Sequence, residues 1–277
     1  MFVYGDDGAD EKRERAISVA VVAGFEDWWR DVEEKWVARC GGIPFHATDC
    51  ESDHGDYAGR PHANNKAMYR DLTTILAESK VGGVGIAVDL QAQASTFAKE
   101  SLELTYYRAF LECLTRTADC AENLGEVAAL TFDISTGNEY NATLLYETMR
   151  DGDPQLLKWL HPEISFMPWK ESPRVQMADL LAFEAWKALD HTVGEIKRRR
   201  ESWEVLRGTQ RFETYGYSYD WFRDLKRHID SGRLGRKVGF TEKDYLDWLS
   251  ARGQQHNMTN LITFLDWTRK RDETGGP

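Results

Sequence analysis

The chain opens with Met1-Phe2-Val3-Tyr4-Gly5-Asp6-Asp7-Gly8. Phe2, Val3 and Tyr4 are apolar residues of the type that favours β-strands, and Gly5 with the two acids is expected to end this first strand. Two adjacent carboxylates at the end of a strand repel each other unless a cation or a shared proton compensates. The stretch therefore predicts either a metal-binding edge of a sheet or a solvated turn, in which Asp and Gly are ordinary residues.

The composition indicates a large globular protein. The 277 residues are 42% hydrophobic and 29% charged, and the formal net charge is -11. This charge argues against a protein that coats nucleic acid nonspecifically, but it leaves open an enzyme that acts on nucleic acid through an acidic metal site. The four cysteines have no CxxC spacing, and no apolar run approaches the ~20 residues of a membrane span. We therefore expect a cytoplasmic protein with reduced thiols and no membrane association.

Apolar runs alternate with amphipathic segments over the first 190 residues, which predicts an α/β domain with a mixed sheet. Residues 191–277 lack an evident strand pattern and are expected to form a helical C-terminal extension. After the opening strand, further strands are predicted at 16–23, 43–47, 81–90, 126–134 and 164–167. Helices are predicted at 25–39, 64–79, 96–123, 139–149 and 175–189, and in the extension at 195–206, 219–229, 241–250 and 258–270.

Three acids stand at the ends or beginnings of these elements. Asp6 ends the first strand, Asp133 ends the strand at 126–134, and Asp179 lies early in the helix that follows Pro173. Carboxylates from separate elements suit Mg²⁺ or Mn²⁺, which take only a few protein oxygen ligands. Gln176, three residues before Asp179, is expected to share its helix face and to hydrogen-bond to it.

Five short motifs occur in a fixed order along the chain: Tyr4-Gly5-Asp6-Asp7-Gly8, Phe45-His46-Ala47-Thr48-Asp49, the aromatic helix Tyr106-Tyr107-Arg108-Ala109-Phe110, Phe132-Asp133 and Gln176-Met177-Ala178-Asp179-Leu180-Leu181-Ala182. Together they resemble the motifs of the DUF3800 family, a group of bacterial proteins similar to ribonuclease H-like nucleases. The resemblance covers roughly residues 1–190. It implies a ribonuclease H-like mixed sheet flanked by helices, in which the first-strand acid Asp6 lies centrally, beside Asp133 from a neighbouring strand and Asp179 from a late helix, and these three acids hold the metal ions. One departure is Asp7-Gly8-Ala9, where the family pattern has Glu-Ser-Gly.

Other residues are candidates for supporting roles. His46 could assist proton transfer, and Asp7 and Asp49 could help to bind metal. The segment from His46 to His62 also contains Cys50 and several acids, so a zinc site there is a weaker alternative. Asp89, which also ends a strand, could be a fourth ligand but is expected to be a capping acid. Glu184 is expected to be a surface residue. The aromatic residues between Tyr215 and Phe222 are expected to pack against the main domain, and stacking on nucleic-acid bases is the alternative.

The function that these features predict is a metal-dependent nuclease or phosphodiesterase, in which Mg²⁺ or Mn²⁺ activates water against a nucleic-acid phosphodiester. The alternative is a catalytically silent module of the same fold that binds nucleic acid or a protein partner.

Overall fold

A mixed sheet forms the centre of the molecule. The structure is a computed structural model that describes residues 1–10, 14–97, 102–134, 139–194, 200–230 and 242–253. Its described strands form a six-stranded sheet in the order β5-β4-β1-β2-β3-β6. β1, β2 and β3 are successive antiparallel neighbours, whereas β4 runs parallel to β1, β5 to β4, and β6 to β3. The strands are β1 (Phe2–Ala9), β2 (Ala16–Gly24), β3 (Gly82–Asp89), β4 (Ala128–Asp133), β5 (Leu160–Met167) and β6 (Phe212–Tyr217).

Helices cover both faces of this sheet and leave an apolar core on each side. They are α1 (Glu26–Cys40), α2 (Ala47–Ser52), α3 (His62–Glu78), α4 (Leu90–Thr96), α5 (Leu102–Leu124), α6 (Glu139–Gly152), α7 (Pro154–Trp159), α8 (Pro173–Val193), α9 (Glu201–Gly208), α10 (Tyr219–Asp230) and α11 (Glu242–Ala251). Short 3₁₀ turns occur at Gly55–Tyr57 and Trp169–Glu171. The mixed α/β sheet flanked by helices is thus as predicted. None of the helices in the described part of the chain combines the length and apolar composition needed to cross a membrane.

The first strand is longer than its sequence suggests. β1 continues past Asp6 to Ala9, and these last residues pair only with β2, because the pairing with β4 stops at Gly5 and Phe132. A Cβ atom at Gly5 would overlap the Phe132 ring, so the close approach of the two strands requires glycine here. The prediction that Asp6 ends the strand was wrong. Asp6 instead lies where the neighbouring strand ends.

Helix α8 is the main cover of one face. The hydroxyl of Ser172 accepts a hydrogen bond from the Val175 amide, and Pro173 occupies the first turn, so the helix begins with a regular N-cap. Its residues 175–186 are buried throughout, and α8 packs against β1, β2 and β3. A helix buried on all sides must place any charged residue inside the protein, which makes its two buried acids, Asp179 and Glu184, informative.

Other sequence predictions also need correction. Residues 212–217 form β6, which pairs with β3, so the sheet extends beyond the predicted boundary at residue 190. Residues 43–46 are irregular rather than a strand, and α2 begins at Ala47. The helix predicted at 96–123 corresponds to α5, described from Leu102, and the one predicted at 195–206 corresponds to α9, described from Glu201, whereas α4 was not predicted. The helix predicted at 258–270 lies outside the described residues.

The structure also shows where individual side chains named in the sequence analysis lie. Cys113 is buried, Cys120 is exposed, and all four cysteines are free. Asp89 is a capping acid as expected, since its carboxylate accepts hydrogen bonds from the Gln91 and Ala92 amides at the start of α4. Tyr217 and Phe222 are buried in the core, which confirms the packing prediction for these two aromatic residues.

Glu184 is 0% exposed, so its prediction as a surface residue was wrong. Arg200 donates to both of its carboxylate oxygens, at 2.8 to 3.2 Å, and also contacts Glu51 through two nitrogens. The hydroxyls of Tyr69 and Ser202 donate to Glu184 Oε1 at 2.5 and 2.7 Å. A guanidinium from beyond residue 190 therefore compensates the charge of Glu184, and it links α8 to α2 and α9.

We expect Arg200→Leu to lower the free energy of unfolding by about 3–5 kcal/mol, because it leaves Glu184 charged and buried without its partner. Urea denaturation followed by circular dichroism measures this difference. Arg39→Leu is the matched control: it removes a half-exposed ion pair with Asp71 and should cost less than about 1 kcal/mol. Equal effects of the two substitutions would contradict a structural role for the buried pair.

Candidate functional site

Two of the predicted acids lie side by side on one face of the sheet. Side chains alternate along β1, and Gly8 on the same face as Asp6 lies against Ala182 of α8, so Asp6 faces that helix. On β4, Phe132 packs against Phe110 of α5, so the next residue, Asp133, also turns toward the α8 side. The parallel pairing of Gly5 with Phe132 brings Asp6 and Asp133 next to each other.

Asp179 completes this group from the helix above. It lies in the second turn of α8 and is 5% exposed, and Asp6 is 8% exposed. One oxygen of Asp179, Oδ2, accepts a hydrogen bond of 2.6 Å from the amide of Ala47 at the start of α2. Oδ1 of Asp133 accepts one of 2.7 Å from the amide of Trp169, and Oδ1 of Asp6 accepts one of 2.7 Å from the amide of Asp7. Backbone N–H groups therefore orient all three carboxylates.

Burial and mutual repulsion both act on the pKa values of these acids. Burial raises the pKa of Asp6 well above its ordinary value, and the negative charges of Asp179, Asp7 and Asp133 raise it further. Burial also raises the pKa of Asp179 to about 6, with Asp133 and Asp49 adding to the shift, while His46 and the Ala47 amide oppose it. Within the described residues, no Lys or Arg forms an ion pair with Asp6 or Asp179. Their charges are buried without the compensation that Glu184 has.

The side chain of Asp7 lies on the opposite face of the sheet from the side chain of Asp6. Asp7 pairs with Val19, whose side chain belongs to the core on the α5 side of the sheet. Alternation along β1 therefore turns the Asp7 carboxylate to the face opposite Asp6. Asp7 therefore contributes its backbone amide to the site, whereas its carboxylate lies on the other face of the sheet.

His46 and Asp49 lie on the side of the acids formed by the start of α2. His46 Nδ1 lies 3.0 Å from Asp49 Oδ2, although the contact does not have hydrogen-bond geometry. The two side chains are 33% and 31% exposed, so solvent reaches this side of the site. Close contact between Asp49 and the loop at Gly55 requires glycine, because a Cβ atom there would lie 2.6 Å from Asp49 Oδ2.

Trp169 is a site residue that the sequence did not reveal. Its ring stacks on the His46 imidazole, with 4.9 Å between centroids and 26° between planes, and its amide holds Asp133. Trp169 lies in an irregular stretch ahead of α8 and belongs to none of the acidic motifs. The only available signal was its position between the end of β5 and the Gln176 motif.

The donor set suits a cation that prefers oxygen ligands, since it consists of carboxylates from two strands and a helix. Among the described residues, no three His, Cys, Asp or Glu side chains are already arranged as a metal-binding group. The buried charges of Asp6 and Asp179 fit such an ion because it would supply the missing positive charge.

The zinc alternative finds less support in the geometry. The Cys50 thiol donates to the Asn65 carbonyl in the core, and burial raises its pKa to about 12, which disfavours the thiolate that zinc requires. His62 pairs with Asp53 at 2.7 Å, whereas His46 contacts Asp49, so the two histidines serve different partners.

A cleft of about 850 Å³ lies elsewhere, between α8, α9 and β6, and is lined by residues such as Leu189, Trp203, Arg207 and Thr214. None of the acids discussed above lines it. The candidate site is therefore identified by the burial of Asp6 and Asp179 and not by the position of this cleft.

Comparison with known proteins adds no relative: no protein-family model matches the chain, and no curated protein matches it.

We expect Asp179→Asn to stabilise the metal-free protein at pH 7.5, because an amide can still accept from Ala47 without a buried charge. The carboxylate's folded-state pKa is raised from 3.8 to about 6, so wild type gains stability from its protonated form below about pH 4 and loses it as the pH rises through 6. The free-energy difference between variant and wild type should therefore grow from pH 4 to pH 7.5, to the order of a few kcal/mol.

Urea denaturation in the presence of EDTA, at pH values from 4 to 7.5, measures this difference. Asp89→Asn is the control, since Asn caps a helix as well as Asp does, and its effect should be small at every pH. A pH-independent effect of Asp179→Asn would argue against a buried, destabilising charge.

Proposed function

We propose that the chain is a metal-dependent nuclease or phosphodiesterase of ribonuclease H-like type, in which Asp6, Asp133 and Asp179 hold Mg²⁺ or Mn²⁺. The observation that carries the proposal is that Asp6 and Asp179 are buried beside Asp133, and that neither Asp6 nor Asp179 forms an ion pair with a Lys or Arg among the described residues. Proteins rarely bury unpaired charges, because desolvation costs several kcal/mol per ion, and clusters of this kind are found at functional sites.

The place of each acid in the fold supports the ribonuclease H-like type. Asp6 lies on β1, a central strand, Asp133 lies at the end of the parallel neighbour β4, and Asp179 lies on the late helix α8. This is the arrangement implied by the resemblance to the DUF3800 family: a central first-strand acid, a second acid on a neighbouring strand and a third on a helix. Membership of that family is part of the proposal.

The chemistry follows from the ligand set. When bound, two such ions can stabilise the attacking and leaving oxygens of a phosphodiester displacement and can lower the pKa of water. The chain orients the carboxylates through the amides of Asp7, Ala47 and Trp169. Among the described residues, Ala47 donates a hydrogen bond to Oδ2 of Asp179 and none donates to its Oδ1, so Oδ1 is available to bind a cation.

His46 is placed for proton transfer at the solvent-facing side of the acids. Its ring is held by stacking on Trp169, and the next residue, Ala47, donates its amide to Asp179. Imidazole is the side chain best suited to exchange protons near neutral pH. Asp49, next to His46, provides a further carboxylate for a second ion or for orienting the imidazole.

A phosphodiester of nucleic acid is the proposed substrate. The protein carries a net charge of -11, so a polyanion will not bind tightly through general attraction. Divalent ions at the acids would change the sign of the local charge, and substrate binding should therefore depend on the metal as well as on the nucleic acid.

The first test is calorimetric titration of the purified, EDTA-treated protein with Mn²⁺. We expect wild type to bind, and Asp6→Asn and Asp179→Asn to bind at least about tenfold more weakly, because each loses a charged ligand. Asp89→Asn, which replaces a strand-end acid outside the site, should bind as wild type does. No Mn²⁺ binding by wild type would refute the metal site.

The second test is cleavage of single-stranded RNA, single-stranded DNA, duplex DNA and an RNA–DNA hybrid with Mg²⁺ or Mn²⁺. We expect cleavage of at least one substrate by wild type and by Asp89→Asn, and its loss in Asp6→Asn and Asp179→Asn. Mn²⁺ binding without cleavage of any of them would favour the silent binding module. Cleavage that persists unchanged in both variants would show that other residues carry the activity.

A further inference from the structure

Gln176 holds two irregular segments that border the acids. It was predicted to hydrogen-bond to Asp179, and the structure shows other partners. Its Oε1 accepts from the indole of Trp36 and from the amide of Phe45, both at 3.1 Å, and its Nε2 donates to the carbonyl of Trp169 at 3.0 Å. Gln176 is buried away from water, and these partners satisfy three of the four hydrogen bonds that its side-chain amide can make.

Each of the two segments is bound once by Gln176 and once by an acid. Phe45 donates its amide to Gln176, and Ala47, two residues later, donates its amide to Asp179. The carbonyl of Trp169 accepts from Gln176, and the amide of Trp169 donates to Asp133. The stack of His46 on Trp169 joins the same two segments a second time.

Neither segment has regular structure that would hold it in place. Residues 43–46 are irregular, and Trp169 begins a single 3₁₀ turn. Phe45 is fully buried, so its amide needs a partner inside the protein, and Gln176 provides it. Without that partner, the buried N–H groups of Phe45 and Trp36 would lose their hydrogen bonds, at a cost of about 1–3 kcal/mol for each group left unsatisfied. The Trp169 carbonyl would keep only its bond from the Ser172 amide at 3.2 Å.

We propose that Gln176 is a positioning residue, which fixes the segments of His46 and Trp169 relative to each other and thereby sets the places of Asp133 and Asp179. It acts through these segments and does not itself contact metal or substrate. Its effect on metal affinity rests on the proposed function, whereas its effect on the two segments does not.

Gln176→Met tests the proposal because it keeps the length of the side chain and removes all three hydrogen bonds. Two-dimensional NMR of the imidazole protons reports the stack, since the Trp169 ring shifts the His46 signals upfield. His46→Gln identifies those signals. We expect Gln176→Met to lose the upfield shift and, in a calorimetric titration, to bind Mn²⁺ about tenfold more weakly than wild type.

Ser18→Ala is the matched control. Ser18 is also buried, and its hydroxyl donates to the Ala182 carbonyl of α8 at 2.7 Å, but it contacts neither segment. This substitution should lower stability and leave both the His46 signals and the Mn²⁺ affinity unchanged. Equal changes in both variants would mean that loosening α8 is sufficient, and this would overturn the specific role of Gln176.

Unchanged His46 signals in a folded Gln176→Met protein would also overturn the proposal. If wild type binds no Mn²⁺, the metal site fails, and the NMR comparison still decides the role of Gln176. If Gln176→Met does not fold, amide hydrogen exchange of wild type provides the decision. We expect the Phe45 amide to exchange as slowly as the amides of α8, and rapid exchange there would refute its anchoring by Gln176.

Discussion

Burial of like charges is the constraint on which the site depends. Asp6 and Asp179 have lost most of their hydration, and each also feels the charge of the other or of Asp133. Neutral backbone N–H groups provide part of the compensation, and the amides that do so come from β1, from the start of α2 and from the turn before α8. The fold must therefore bring irregular backbone close to the acids and keep it there.

Helix α8 contains two solutions to the problem of a buried acid. Glu184 is paired with Arg200 and accepts further hydrogen bonds from Tyr69 and Ser202, so its charge is balanced by a partner of opposite sign. Asp179, five residues earlier, has no comparable partner among the described residues, and burial raises its pKa to about 6. Stability alone favours the first arrangement, because a buried charge without a partner of opposite sign is strongly destabilising. The second lowers stability unless something binds, which is why we assign a function to Asp179 and a structural role to Glu184.

Much of the sheet could be predicted because its inner strands are apolar and regular. The runs that form β2, β3 and β4 and the buried helix α8 stand out by composition, and the acids at Asp133 and Asp179 follow from their positions in these elements. β6 was missed because Glu213 and Gly216 interrupt an aromatic stretch that resembles a loop. The direction of Asp7 depends on β1 continuing beyond Asp6, and that depends on pairing with β2, which no local pattern of the first residues reveals.

The residues that could not be predicted share a physical cause: their roles depend on partners far away in the chain. Glu184 is buried because Arg200 reaches it from beyond α8, and Gln176 bonds to Phe45 and Trp169 rather than to its helical neighbour Asp179. Sequence patterns indicate which face of a helix is apolar, but they do not show which polar group will meet a given amide across the core. Acids at element ends are recognisable because repulsion makes them unusual, whereas an uncharged amide such as that of Gln176 gives no such signal. Hence the sequence could point to acids that the fold brings together, whereas the hydrogen bonds that hold the surrounding segments required the structure.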